Sequence, residues 1–343
     1  MLGTPKDNVV TVGRPLPLTG HIAFGIIDRG TNILQVRVTT LCPLSCIFCS
    51  VDAGPSTRTR FSEYIITDVE WLQGWVREAA QLKGGGVEAL LDGVGDPLSH
   101  PRIADIVRVL KETPGVSTVA LETHGYHLTK SMVDRLWEAG LDRLNLSIDA
   151  LDPQLASRLA GNPRYDVARV VDAAEYLVRE TGIDLHIAPV WLPGLNDGEI
   201  EKIVLWGLRI GAGKKWPPFG IQKYVVHKYG RKPPGVREVS WEEFYRWLEA
   251  LGEKLGVNLR PRSEDFGIRP APRIPLAFNV GERVKLDIVL PGWLKGEAIG
   301  VPLREPKVLV TVVGAHRLGV RVGDRVLAKI TSNKDGIYLA KPY

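Results

Sequence analysis

Residues 34–39 (LQVRVT) alternate apolar and polar side chains, the period of a β-strand. From there short apolar runs and amphipathic stretches take turns. Residues 87–91, 118–122, 143–148, 184–190 and 220–226 read as strands. Residues 101–111, 129–139, 165–180, 197–210 and 240–255 read as helices. The last opens on Ser240 with Glu243 three residues on, the signature of a capping box. Six β/α units predict parallel strands joined by crossover helices. Eight such units close a TIM barrel; six predict a partial (β/α)6 barrel of that type. The first 33 residues carry little pattern and read as an N-terminal extension, ahead of a barrel over residues 34–259. Residues 260–277 hold four prolines and no helical period, and read as a linker. After it the period falls to two. Residues 283–289, 308–313, 325–330 and 337–340 read as strands, with Gly-rich turns between them. This predicts a small all-β barrel of the OB type over residues 278–343.

Composition changes this picture in two places. The chain is 343 residues long with 44 Lys and Arg against 39 Asp and Glu, a net charge of +5. Residues 278–343 alone hold 11 Lys and Arg against 6 Asp and Glu, so the excess lies in the C-terminal segment. A neutral body with a basic end suggests an anionic partner such as nucleic acid, against the plainer reading of a solvated surface. Two Met and three Cys with many Arg and Pro resemble a heat-adapted composition. No apolar run reaches the ~18–20 residues of a membrane span. Residues 1–14 lack a basic start followed by an apolar core, so no secretory leader is read and the cytoplasm is the expected location.

All three cysteines fall within eight residues, at Cys42, Cys46 and Cys49, directly after the first strand of the barrel. Barrel enzymes place their chemistry at that end of the strands. Structural zinc wants four ligands, and a distant His would have to serve. A disulfide would leave one Cys over. Three thiolates can also hold a [4Fe–4S] cluster with one iron open to another ligand. The stretch from Thr40 to Cys49 (TLCPLSCIFC) resembles the CxxxCxxC motif of the radical S-adenosylmethionine (SAM) superfamily, including the aromatic Phe48 before the last Cys. The resemblance implies a [4Fe–4S] cluster on Cys42, Cys46 and Cys49, with SAM chelating the free iron. It implies reductive cleavage of SAM to methionine and a 5′-deoxyadenosyl radical, which takes a hydrogen atom from the substrate. It also implies an electron donor such as ferredoxin or flavodoxin.

Further stretches resemble elements of that family. Gly93, Gly95, Asp96 and Pro97 (in DGVGDP) resemble the GGE-type motif that holds the SAM amino group, with Asp96 in place of the longer Glu. Thr123 belongs to ETHG, similar to a Thr-Asn-Gly element, where His124 replaces Asn and is a weak candidate for acid–base work. Asn145, Ser147 and Asp149 alternate on one strand face, where family members bind the ribose and methionine parts of SAM. Arg158, in the next helix, resembles a residue that pairs with the SAM carboxylate. Pro189 opens a loop running to Pro193-Gly194-Leu195-Asn196-Asp197 that resembles an adenine-side element, or simply caps the next helix. Gln222 and Tyr224 point the same way at the sixth strand, amid the basic residues Lys223, His227, Lys228, Arg231 and Lys232.

The cysteine count limits the chemistry, because one cluster uses all three. No Cys remains for an auxiliary cluster or for the two-Cys methyl transfer known on RNA adenosine, and methylthio-transfer or cobalamin domains would need more chain upstream. The C-terminal segment, with its GERVKLDIV and VGDRVLAKI stretches, resembles a TRAM domain, an OB-like barrel carried by tRNA- and rRNA-modifying enzymes. Lys285, Arg317, Arg321 and Lys329 are candidates to meet phosphate, and Trp293 and Tyr338 to stack on bases. The expectation is a radical SAM enzyme modifying RNA, with tRNA first. The alternatives are a small metabolite, lipid precursor or peptide as substrate, or an RNA-binding protein with a structural metal site and no catalysis.

Overall fold

The computed structural model describes residues 8–343; the reading of residues 1–14 as leaderless falls partly outside them. Two short strands precede the first expected one, β1 (Val9–Val12) and β2 (Gly25–Asp28). Then come β3 (Ile33–Arg37), β4 (Glu63–Ile66), α1 (Val69–Leu82), β5 (Val87–Leu91), α2 (Ile103–Lys111), β6 (Val116–Thr123), α3 (Lys130–Glu138) and β7 (Arg143–Leu146). The chain continues through α4 (Pro153–Ala160), α5 (Val167–Glu180), β8 (Asp184–Ile187), β9 (Val190–Trp191), α6 (Asp197–Ile210), β10 (Gln222–Lys223) and α7 (Trp241–Leu255).

The central sheet has the order β2-β3-β5-β6-β7-β8. All its neighbours are parallel except β2, which runs antiparallel on the β3 edge. The sixth unit joins loosely. Ile187 at the end of β8 bridges Phe219, and β10 pairs with the two residues of β9. The strand expected over residues 220–226 is therefore only two residues long, because the chain leaves the sheet after Lys223.

The strand pattern sorts side chains into two environments. Leu34, Val36, Ala89, Leu91, Val119, Leu121, Leu144, Leu146, Leu185 and Ile187 are all fully buried, on the face that packs under the helices. Each Leu, Val and Ile among them contributes about 1.5–3 kcal/mol as a large apolar group removed from water. The alternate positions carry polar groups into the lumen. Arg37 pairs with Asp92 and Arg143 with Glu88, each pair buried and bidentate. Ser240 accepts from the Glu243 amide at the head of α7, but the Glu243 carboxylate turns to Arg237. Only half of the expected capping box forms.

Residues 260–277 do not hang free as a linker. Phe266 sets its edge against His186, with centroids 5.1 Å apart, beneath the Arg143 guanidinium. Lys83 donates to the Pro272 carbonyl at 2.9 Å and to Asp28 at 2.6 Å. The segment is a strap across the N-terminal ends of the strands.

Five strands then close a barrel: β11 (Arg283–Pro291), β12 (Glu297–Pro302), β13 (Val310–Val313), β14 (Arg325–Ser332) and β15 (Leu339–Pro342), in the order β11-β12-β13-β15-β14. This fits the expected OB-like type; β12 lay outside the expected strands, and Pro302 and the GEAIG stretch hide its alternation. The barrel is docked at two places. Phe61 donates to the Trp293 carbonyl at 2.8 Å, and the Tyr64 hydroxyl to the Pro291 carbonyl at 2.6 Å. On the other side Leu309 donates to Thr19 and Tyr338 to Gly20.

Candidate active site

The segment from Leu41 to Cys49 is loop, so its amides need partners elsewhere. Helix α4 supplies them. Ser45 and Ile47 donate to the carbonyls of Ala160 and Leu159, each at 3.0 Å, using acceptors that a helix C-terminus leaves open. The helix ends on Gly161 in the left-handed region, where a Cβ would stand 2.1 Å from the Ser45 carbonyl oxygen. Asn162 donates to the Pro43 carbonyl at 2.9 Å. The stretch around Arg158 thus cradles the cysteine loop, while the Arg158 side chain is exposed on the outer face of α4 and does not line the cavity.

Two arginines clamp the other side. Arg231 donates to the carbonyls of Cys46 (3.1 Å) and Ala53 (2.6 Å) and pairs with Asp52 at 2.9 Å; its own amide donates to the Cys49 carbonyl. Burial alone would raise the Asp52 carboxyl. Hydrogen bonds from Arg58 and Thr59 and the Arg231 charge outweigh it and hold that carboxyl low. Arg60 is 1% exposed. It donates to the carbonyls of Thr40, Val51 and Val94 and pairs with Glu63 at 3.1 Å. One guanidinium therefore joins the cysteine loop to the loop after β5.

A cavity of about 220 Å³ opens over these loops, walled by Cys42, Cys46 and Cys49 on one side. The loop after β5 contributes Gly93, Gly95, Asp96 and Pro97, the end of β6 Glu122, Thr123 and His124, and the end of β7 Ser147. Gly95 lies so close to the cysteine loop that a Cβ would stand 2.4 Å from the Leu41 carbonyl oxygen. Asp96 is buried and accepts from Thr123 (2.9 Å), the Leu98 amide (3.0 Å) and the His124 amide (3.2 Å). The shorter carboxylate is thus taken up by the end of β6 and by its own loop. His124 Nδ1 lies 3.0 Å from the Ser147 carbonyl oxygen; a carbonyl only accepts, so Nδ1 carries the proton and Nε2 stays free.

The remaining expected residues are spread more widely. Asp149 is buried, accepts from the Val190 amide at 2.8 Å and lies 3.9 Å from His124 Nδ1. Asn145 is drawn down the lumen, accepting from Arg143 at 2.9 Å, and does not line the cavity. Pro189 accepts from the Gln222 amide at 2.8 Å. Asn196 ties its loop together through Leu192, Val190 and Asp149, and its side chain makes no capping hydrogen bond to α6. Gln222 is exposed at the rim and Tyr224 buried, and both border the cavity. Of the basic set beside them, Lys223 is paired with Glu238 and Arg231 with Asp52, leaving His227, Lys228 and Lys232 exposed.

The C-terminal candidates divide. Lys285, Arg317, Arg321 and Lys329 are exposed. Trp293 is not available to stack on a base. It is 7% exposed and faces Arg60, whose guanidinium carbon lies 5.1 Å from its ring. Tyr338 is likewise buried, its hydroxyl accepting from the Ala277 amide at 2.7 Å. Both aromatics hold the barrel together or to its neighbour.

Among the described residues no group of His, Cys, Asp and Glu is arranged to hold a single metal ion. Three thiols in one wall with no fourth fit a four-iron cluster that leaves one iron for SAM. Burial raises the Cys42 and Cys46 thiols, so their ionisation needs the positive charge such a cluster brings. Cys49 Sγ already accepts from the Ala53 amide at 3.2 Å.

The radical SAM superfamily model matches residues 36–207, half of the chain. The chain belongs to the radical SAM superfamily. Among its relatives is an uncharacterised protein of Methanocaldococcus jannaschii, 35% identical over 98% of this chain and 81% of that one. A GTP 3′,8-cyclase of Chlorobaculum tepidum is 32% identical over 176 residues, about half the length of either protein. Streptococcus suis SuiB bound to S-adenosylmethionine superposes with a TM-score of 0.52 at 19% identity, over 66% of this chain and 49% of that one. That likeness concerns the fold.

The lumen of this radical SAM barrel holds a group the motifs did not single out. Glu122 lines the cavity, and its carboxylate makes no hydrogen bond to another of the described residues. Burial and the nearby Asp92 push its carboxyl up to about 7, against the pull of His124 and Arg37. The folded chain thus binds this proton more tightly than the unfolded one, and stability falls as pH rises from about 4.5 through 7. Glu122→Gln should therefore stabilise the cofactor-free chain by about 1–3 kcal/mol at pH 8 and by nothing near pH 4.5. Urea midpoints at the two pH values test this; an equal effect at both would refute it.

Proposed function

We propose that this radical SAM enzyme modifies a base of RNA, with tRNA as the substrate, by drawing a hydrogen atom from a nucleotide unit placed over the cavity. The observation that carries this reading is the docking of a closed, basic β-barrel beside the mouth. The segment running out of the cysteine loop (residues 58–62) is hydrogen-bonded to residues 291–295 of the barrel region. A molecule held by the barrel is thereby held beside the cavity.

Cys42, Cys46 and Cys49 would hold the cluster, and Gly93, Gly95, Pro97 and Ser147 would border SAM. When bound, the cluster supplies an electron and SAM the hydrogen-abstracting radical. The chain supplies placement. Asp96 would act through Thr123 and its own loop. His124 would offer its Nε2 to the substrate. The strap of residues 260–277 covers the far end of the lumen and keeps bulk water from that side.

Members of the superfamily need an electron donor; a ferredoxin or flavodoxin and a cytoplasmic location complete the proposal. Among the described residues no helix is long and apolar enough to cross a membrane. A second reading takes a free purine nucleotide as substrate, and it is favoured by the likeness of half the chain to GTP 3′,8-cyclases.

The test is 5′-deoxyadenosine release by anaerobically reconstituted protein with SAM and reductant. Release should rise severalfold with bulk tRNA that lacks the modification. Release raised by GTP and indifferent to tRNA would replace the first reading by the second.

A further inference from the structure

A second cleft, of about 760 Å³, lies where the C-terminal barrel meets the body. Arg58, Lys295, His316, Arg317 and Lys341 line it together with the exposed Tyr229. Several surface cations elsewhere in the chain are paired, as in Arg14–Asp68, Lys111–Asp142 and Arg325–Asp287. Among the described residues none of these five basic side chains has a carboxylate within ion-pair distance. Lys295 reaches only the Arg58 carbonyl, at 2.7 Å, and His316 Nδ1 only the Gly296 carbonyl, at 3.0 Å, which leaves its Nε2 free. The acidic side chain of the wall, Glu297, is turned to the Leu294 amide. Like charges gathered without counter-charges repel unless an anion joins them.

The cleft shares two walls with the active site. Arg58 and Thr59 belong to the loop that leaves Cys49, whose Val51 lines the catalytic cavity. Tyr229 belongs to the loop in which Gly230 lies against Cys49 and Arg231 donates to the Cys49 carbonyl. The outward candidates Lys285 and Lys329 sit on β11 and β14 and do not line this cleft.

We propose that this cleft binds the phosphate groups of the substrate, with Arg58, Lys295, Arg317 and Lys341 as the cations and Tyr229 as a surface on which a base stacks. This rests on the nucleotide-substrate reading above and moves the anchoring site from the outer face of the barrel to its junction with the body. A phosphate seated there positions the attached nucleoside at the edge of the loops that carry the cluster.

The experiment uses the full reconstituted chain and two probes, a fluorescein-labelled twelve-residue oligouridylate and GTP. The variant Arg317→Ala/Lys341→Ala removes two exposed side chains that have no hydrogen bonds to lose. Oligouridylate affinity should fall roughly tenfold, and the salt slope should drop by about 1.4, close to 0.7 for each lost phosphate contact on a single strand. Lys285→Ala/Lys329→Ala should stay within about twofold of the parent. Arg317→Glu should weaken binding further than Arg317→Ala. If only GTP affinity falls, the phosphate comes from a free nucleotide and the cleft stands while the RNA reading does not. If oligouridylate binding survives the cleft variant and is lost in the outer-face variant, the RNA reading stands and the cleft proposal is overturned. If the parent chain binds neither probe at low salt, both are overturned.

Discussion

Replacing Cys46 by Ala should abolish cluster-dependent SAM cleavage and drop bound iron from about four atoms per chain to background after reconstitution. Cys46 is 6% exposed, and its carbonyl is held by Arg231. The loop is fixed by backbone contacts to Leu159, Ala160, Arg231 and Asp96 rather than by the thiol. The variant should therefore keep its fold and lose only its donor atom. A melting temperature within a few degrees of the parent, with no 5′-deoxyadenosine above a cluster-free control, is the expected pair of results. Retained cleavage in a sample with bound iron would mean that these three cysteines are not the cluster ligands.

Those cysteines were legible in the sequence because their chemistry is local, three thiols within eight residues. The β/α rhythm was legible for a similar reason, since side-chain period is set by neighbouring residues. Helix α1 escaped the reading although Asp68 caps it and Val69, Leu72, Val76, Ala79 and Ala80 fall at helical spacing; Gly74 and two tryptophans blur its apolar stripe. β1, β2 and β4 are four residues each, too short to show a period. Arg60 carried no signal in the sequence, and Arg231 showed only as one of a basic run. Their partners lie as far as 34 and 185 residues away, and only the fold brings them together. Trp293 and Tyr338 mark the opposite failure, since a strand sequence does not say whether an aromatic faces solvent or a neighbour. Arg158 lies beside an Ala-Gly pair whose importance is backbone contact, which the side chains do not advertise.

Arg60→Met should cost about 3–5 kcal/mol of folding stability, the range for breaking a buried ion pair from one side. The substitution leaves Glu63 without its cation and three carbonyls, on Thr40, Val51 and Val94, without their donor. Burial already raises the Glu63 carboxyl against the pull of Arg60, so the lone acid would take up a proton instead of remaining a buried anion. Arg60→Lys should recover only part of the loss, because an ammonium cannot span four acceptors as a planar fork does. Arg60→Met/Glu63→Met removes both charges and should be more stable than Arg60→Met alone. Urea unfolding at constant m-value reads all three; a loss below about 1 kcal/mol for Arg60→Met would mean the hub is dispensable. The Val94 carbonyl borders the cavity, so SAM affinity should fall in the same variant.

The pairing of residues 58–62 with 291–295 bears on how such an enzyme can be inherited or re-engineered. The C-terminal barrel is not an attachment that recombination could remove and leave a working core behind. Deleting it would strip acceptors from Phe61 and Tyr64, uncover Trp293's partner Arg60, and slacken the segment that closes the cysteine loop. Chimaeras made by exchanging this barrel among homologues would have to carry the 58–64 segment with it. The unit to be exchanged is therefore the barrel together with that stretch of the catalytic body, two pieces of sequence more than two hundred residues apart.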